Sequence, residues 1–210
     1  MYGAPPSITA EIYTEVPEAL RIRGRSSEWL YGRGGAAPHS FLEGPSFDRE
    51  GNLWLTDIVF GRIFRVNPAG AWTVVAEYDG EPNGLAFHRE GWAAITDAKR
   101  GLLRLNPQTG EVSSLLPRAR REGFRGVNDC TFSKTGDLFF TDQGQTGLQD
   151  PAGRVYRLRA GAQQADALVS NVPSPNGLVM TEDGHTLYVA ATRDNAIWRV
   201  PITEDGGVIR

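Results

Sequence analysis

The sequence predicts an all-β fold, a β-propeller built from four-stranded blades, and three observations carry that expectation. Four segments align with one another, starting at Glu43, Asn83, Asn128 and Asn176, at spacings of 40, 45 and 48 residues. Glycine supplies 25 of the 210 residues and proline 13, and the glycine share is well above the typical ~7%. No collagen-like period organises them, so they mark tight turns between short strands and leave little room for long helices. Each segment also holds short runs of β-branched and aromatic residues, such as NLWLT and RIFRV in the first, which suit a pleated, half-buried surface. Four-stranded repeats of ~40–45 residues are propeller units, because one blade cannot cover both faces of its sheet and must stack on neighbours around an axis.

The first repeat, EGPSFDREGNLWLTDIVFGRIFRVNP, predicts strands at 45–48, 52–56, 61–66 and 72–76. The turn between first and second strands falls at Glu50-Gly51, Glu90-Gly91, Thr135-Gly136 and Asp183-Gly184, where glycine supplies the positive φ of a tight hairpin. The third strands (RIFRV, LLRL, RVYRL, AIWRV) alternate, placing Arg65, Arg104, Arg157 and Arg199 outward, either facing solvent or bridging blades. Thr56-Asp57, Thr96-Asp97 and Thr141-Asp142 recur at the ends of second strands. They read as structural turn residues bonding local backbone, with Asp142 the one that could face a pocket. After the fourth repeat, ITEDGGVIR has room only for an outermost strand. The repeats place a partial propeller at 42–210, about four blades. Residues 1–41 form an N-terminal segment, in which ITAEIYTEV could be a strand that closes another blade.

Composition narrows the function classes. The chain is 40% hydrophobic and 22% charged, which excludes a disordered polymer. A net charge of −3 argues against nucleic acid or an anionic membrane as partner. The one basic cluster, Arg118, Arg120, Arg121 and Arg125, reads as a solvated loop. A single cysteine, Cys130, excludes an internal disulfide and a cysteine-rich zinc site, and its strand-like neighbours make it a packing residue. The stretch MYGAPPSITAEIY has no charged start followed by an apolar run, and no segment approaches the ~20 apolar residues of a membrane span, so the expected location is cytoplasmic. His39, His88 and His185 are scattered. No nucleophile elbow, phosphate-binding loop or zinc motif is present.

The candidate chemistry lies at the repeat starts. In a propeller the first strand of each blade lines the central channel, so Glu43, Asn83, Asn128 and Asn176 would ring one mouth of it. Carboxylate and amide oxygens suit a hard divalent cation such as Ca²⁺ or Mg²⁺ and tolerate Mn²⁺ or Zn²⁺. Asn-Gly, found at 83–84 and 176–177, is also a strong turn dipeptide. Equivalent placement with Glu43 and Asn128-Asp129 favours the channel site over turns alone.

These motifs resemble one family. Leu42-Glu43-Gly44-Pro45 with Phe47-Asp48, Pro82-Asn83-Gly84-Leu85-Ala86, Arg125 with Val127-Asn128-Asp129, LFFTD at 138–142 and Pro175-Asn176-Gly177-Leu178 are similar to the senescence-marker-protein, gluconolactonase and luciferin-regenerating-enzyme family of six-bladed propellers. The likeness runs from about 42 to 201. It implies one divalent cation on the axis, Ca²⁺ first among the choices, with Glu43 and Asn176 as ligands and Asn128 close to both metal and substrate. It further implies Arg125, Asn83 and Asp129 as substrate-side residues. The family's remaining ligand, an aspartate in a Pro-Asp-Gly motif one blade beyond Asn176, has no counterpart before Arg210, which suggests a chain truncated at its C-terminus. With Glu43 as sole charged ligand, one positive charge stays uncompensated, so weak metal binding and little activity are expected. The implied activity is metal-dependent opening of a lactone, such as a sugar lactone. A non-catalytic propeller for binding is the alternative. The long inserts 117–126 and 143–153 are the expected specificity loops.

Overall fold

The computed structural model describes residues 6–31, 33–34 and 36–208. Residues 1–5, part of the stretch read for a leader, and 209–210, the end of ITEDGGVIR, lie outside the described residues. Four antiparallel sheets follow one another along the chain, each a simple up-and-down meander. Blade one comprises β1 (Leu42–Phe47), β2 (Leu53–Asp57), β3 (Arg62–Val66) and β4 (Trp72–Glu77). Blade two comprises β5 (Pro82–Phe87), β6 (Ala93–Asp97), β7 (Gly101–Leu105) and β8 (Val112–Leu116). Blade three comprises β9 (Val127–Phe132), β10 (Leu138–Asp142), β11 (Gly153–Leu158) and β12 (Ala165–Val172). Blade four has three strands, β13 (Pro175–Met180), β14 (Thr186–Ala191) and β15 (Ala196–Pro201).

The repeat turns form as read. Gly51, Gly91, Gly136 and Gly184 have φ of 79°, 90°, 90° and 78°, and each amide closes its turn onto the carbonyl three residues back. Period-two alternation then divides the side chains between two neighbours. Trp54 and Ile63 of blade one pack with Leu85, Ala93 and Ile95 of blade two. Ala94 and Leu102, on blade two's other face, pack with Val127, Cys130 and Phe140 of blade three. Phe139 and Val155 meet Leu178, Leu187 and Val189 of blade four. Cys130 is a buried packing residue, its thiol pushed up by burial and by the neighbouring Asp129 charge.

Inner strands β1, β5, β9 and β13 pack in succession, and the four blades form an arc. A closed four-bladed ring is not made: among the described residues no core cluster joins blades four and one. Blade one's free face is covered instead by Leu20 of the N-terminal segment, which packs with Leu55, Phe64 and Val66. Blade four's free face leaves Val179, Tyr188 and Ile197 exposed.

Three expectations need correction. The strand proposed at 8–16 does not form; it finds no backbone partner among the described residues, and it is held by side chains such as Trp72, whose indole N–H donates to Thr14. Nor does the outermost strand of blade four form among the described residues. After Pro201 the chain turns through Asp205-Gly206 and meets itself in a single bridge, Ile202 to Val208. Finally, β1 begins at Leu42 and not near 45, for the reason given below.

Two buried ion pairs pin the segments flanking the arc. Arg62 pairs with Asp57 at 2.6 Å, with side chains only 3% and 0% exposed. The same guanidinium donates to the Leu20 carbonyl at 2.7 Å, and the Phe41 amide donates to Asp57. Arg157 pairs with Asp137 at 2.5 Å and donates to the Asp205 carbonyl. Arg157 is therefore a bridging arginine, whereas Arg104 and Arg199 are exposed.

Candidate functional site

Each inner strand is irregular at its start. In β1 the pairing with β2 slips between Glu43 and Ser46, and slips that begin one position earlier in the repeat occur at Pro82/Leu85, Val127/Cys130 and Pro175/Leu178. In each case three steps on the inner strand oppose two on its partner, a one-residue bulge. The bulge extends β1 back to Leu42 and re-aims the residues at the repeat starts. Alternation by itself could not show this, because a bulge breaks the period of two.

The bulges sit shoulder to shoulder. A Cβ on Gly44 would collide with the Asn83 carbonyl. A Cβ on Gly84 would lie 2.6 Å from Asp129 Cα and 2.8 Å from the Asn128 carbonyl oxygen. In blades one and two glycine follows the mouth residue because the next backbone occupies that space, whereas a Cβ on Gly177 in blade four would meet only Asp129 Oδ2, at 3.7 Å. Blade three carries Asp129 there instead. One carboxylate oxygen accepts the Cys130 amide at 2.8 Å and the other accepts the Leu178 amide of blade four at 3.1 Å. Blades two, three and four are thus joined at this one residue.

The structure brings Glu43, Asn83, Asn128, Asp129 and Asn176 onto adjacent bulges of adjacent inner strands. Burial pushes the Glu43 carboxyl above its usual range, and the Asp129 charge pushes it further. Burial raises Asp129 as well, against its two amide donors. Among the described residues neither carboxylate has an ion-pair partner. Two partly desolvated acids, three amides and no basic neighbour make a donor set that fits a hard cation. No cluster of three His, Cys, Asp or Glu side chains occurs among the described residues, so such a site would depend on the amides.

Arg125 stands apart from this group. It is exposed, and its backbone amide is held by both oxygens of Asp142, at 2.8 and 3.1 Å. Asp142 thus anchors the 117–126 loop and is spent on backbone, while Asp97 caps the Lys99 and Arg100 amides. Both expected specificity loops lie at the mouth end and are tied together by the Gln143 amide on the Gly126 carbonyl at 3.0 Å.

The sequence suggested that the threonines of the Thr-Asp repeats bond the adjoining turn; their hydroxyls donate instead to the next blade. Thr56 donates to the carbonyl of Asn83 at 2.5 Å, Thr96 to that of Asn128 at 2.5 Å, and Thr141 to that of Asn176 at 2.7 Å. The target is always the mouth residue of the following blade. Recurrence in three repeats was the signal for a shared role, but the partner lies a blade away in sequence.

Comparison with known proteins agrees with the fold. A lactonase, drp35 of Staphylococcus epidermidis, is 28% identical over 175 residues, covering 80% of this chain and 53% of the relative. The chain therefore spans about half the length of the curated relatives it matches. Among solved structures, a gluconolactonase from Xanthomonas campestris superposes with a TM-score of 0.72 at 23% identity, covering 81% of this chain and 61% of the other. A calcium-binding regucalcin from Agrobacterium tumefaciens gives 0.66 at 24% identity, covering 80% and 56%. Residues 41–210 match the family model for the SMP-30/Gluconolactonase/LRE-like region, and with four bulged inner strands in the predicted order the chain belongs to that family.

Proposed function

We propose that the channel mouth holds a divalent cation and opens the ring of a small lactone. The observation that supports this is the convergence of Glu43, Asn128 and Asn176 on equivalent bulges beside an unpaired Asp129. Glu43, Asn128 and Asn176 would hold the ion, Ca²⁺ best matching an oxygen-only set, with Mg²⁺, Mn²⁺ or Zn²⁺ as alternatives. When bound, such an ion polarises an ester carbonyl and lowers the pKa of a water. Asn128 and Asn83 can orient the lactone through their amides. Asp129 is fixed by two backbone donors and presents negative charge close to Glu43, which offsets part of the cation charge that Glu43 alone would leave. Arg125, on the exposed mouth loop, is the residue placed to meet a polar substituent of the substrate. No helix among the described residues is long and apolar enough to cross a membrane, and a small-molecule substrate is the partner this reading requires.

Calorimetric titration with Ca²⁺, Mn²⁺ and Zn²⁺, paired with pH-stat hydrolysis of aldono-, aromatic and aliphatic lactones, tests the reading. The expected result is one weak cation site that Glu43→Gln abolishes, with lactone turnover that follows occupancy of that site. Neither binding nor hydrolysis would leave the mouth as part of a non-catalytic binding module.

A further inference from the structure

We infer that Thr56, Thr96 and Thr141 are positioning residues of the mouth, each setting the aim of the asparagine one blade ahead. All three are completely buried, so each hydroxyl has only protein to bond. Two of them also accept a bulge amide from their own blade: Gly84 donates to Thr96 at 2.8 Å and Asp129 to Thr141 at 3.1 Å. The hydroxyl therefore relays one bulge to the next, from the Gly84 amide through Thr96 to the Asn128 carbonyl, and from the Asp129 amide through Thr141 to the Asn176 carbonyl. A bulge interrupts the regular ladder, and at such a break the orientation of a peptide plane depends on whatever bond replaces it. Fixing the carbonyl of Asn128 fixes the plane between Asn128 and Asp129, and with it the direction in which both side chains leave the strand.

The strand itself does not require the hydroxyl. In blade four the equivalent position is Ala190, paired with Ile197 in a regular β14–β15 ladder. A threonine that served the strand only through its shape would be replaceable by valine. What valine lacks is the donor aimed at the next blade. The inference rests on the mouth being the functional site, but its test reads geometry and not turnover.

The test is side-chain amide NMR on this chain. In Thr96→Val the Asn128 side-chain amide should lose its ordered heteronuclear NOE and shift, Asn83 should follow to a smaller degree through the lost Gly84 bond, and Asn176 should not move. In Thr141→Val the loss should fall on Asn176, with Asn128 following through the lost Asp129 bond and Asn83 unmoved. Thr96→Ser and Thr141→Ser should restore the parent signals. Because a valine variant can fail to fold, the parent protein gives a second measurement: a slowly exchanging Thr96 hydroxyl proton with an NOE to the Gly84 amide, which is bonded to the same oxygen. Equal changes at all three asparagines, no change, failure of serine to restore, or a rapidly exchanging hydroxyl would each overturn the inference. Ordered amides lost in the valine variants, with no cation or lactone bound by any form, would uphold the positioning role and remove the lactonase reading.

Discussion

Replacing Gly84 by alanine isolates the steric demand at the mouth. Gly84 does not occupy the left-handed region, so alanine meets no backbone penalty there and only the lack of room matters. Its methyl would lie 2.6 Å from Asp129 Cα, 2.7 Å from Asp129 Oδ1 and 2.8 Å from the Asn128 carbonyl oxygen. Two of these are backbone atoms and cannot rotate away. Restoring ordinary contact, which begins at 3.4 Å, needs β9 to retreat by about 0.8 Å, and overpacking of this kind costs roughly 1–3 kcal/mol. At ~2–4 °C per kcal/mol for a chain of this size, the melting midpoint should fall by roughly 2–12 °C. Gly177→Ala is the matched control, because its methyl would meet only Asp129 Oδ2 at 3.7 Å; it should stay within about 0.5 kcal/mol of the parent. Thermal melts by circular dichroism rank the two. A Gly84→Ala protein that melts with the parent, or a Gly177→Ala protein that melts lower still, would refute the close packing of β5 on β9.

Arg62→Met strands the buried Asp57 carboxylate, which should cost roughly 3–5 kcal/mol; the Asp57→Asn/Arg62→Met pair should lose less, and equal losses in urea melts would contradict the pairing. Asp129→Asn removes the charge that helps hold Glu43 up, so the Glu43 carboxyl pKa should fall toward its ordinary range when followed by carbon-detected NMR titration; no movement would count against their proximity. The same variant carries a stability signature. Asp129 is raised in the folded state, so the fold binds its proton more tightly than the unfolded chain does, and ionisation destabilises. The parent should therefore lose ground to Asp129→Asn as pH rises from the unfolded value near ~3.9 through the raised folded one, and stay level below it. Urea melts at pH 3.5 and 7 check the sign.

The blade was readable because its signals are local. Gly51, Gly91, Gly136 and Gly184 each sit in a turn closed within four residues, and the strands between them carry their own alternation. Glu43, Asn128 and Asn176 were readable as equivalent positions for the same reason, repeat against repeat. The segment at 8–16 misled because strand propensity is no substitute for a ladder partner, and the residues after Pro201 misled because Asp205-Gly206 prefers a turn to a fourth strand. Arg125 was read from the family resemblance, and the structure adds that its loop is held by its backbone amide on Asp142 while the side chain is exposed.

Sequence alone thus determined the unit of construction, the order of the blades and which residues start the inner strands. Hydrogen bonds between blades settled how those residues are held. Thr56, Thr96 and Thr141 act on partners 27, 32 and 35 residues away, and Asp129 reaches the Leu178 amide 49 residues on. The physical reason is the bulge: by breaking the ladder at each strand start it leaves carbonyls and amides that only the neighbouring blade can satisfy, and neither the break nor its partner is written in the residues around it.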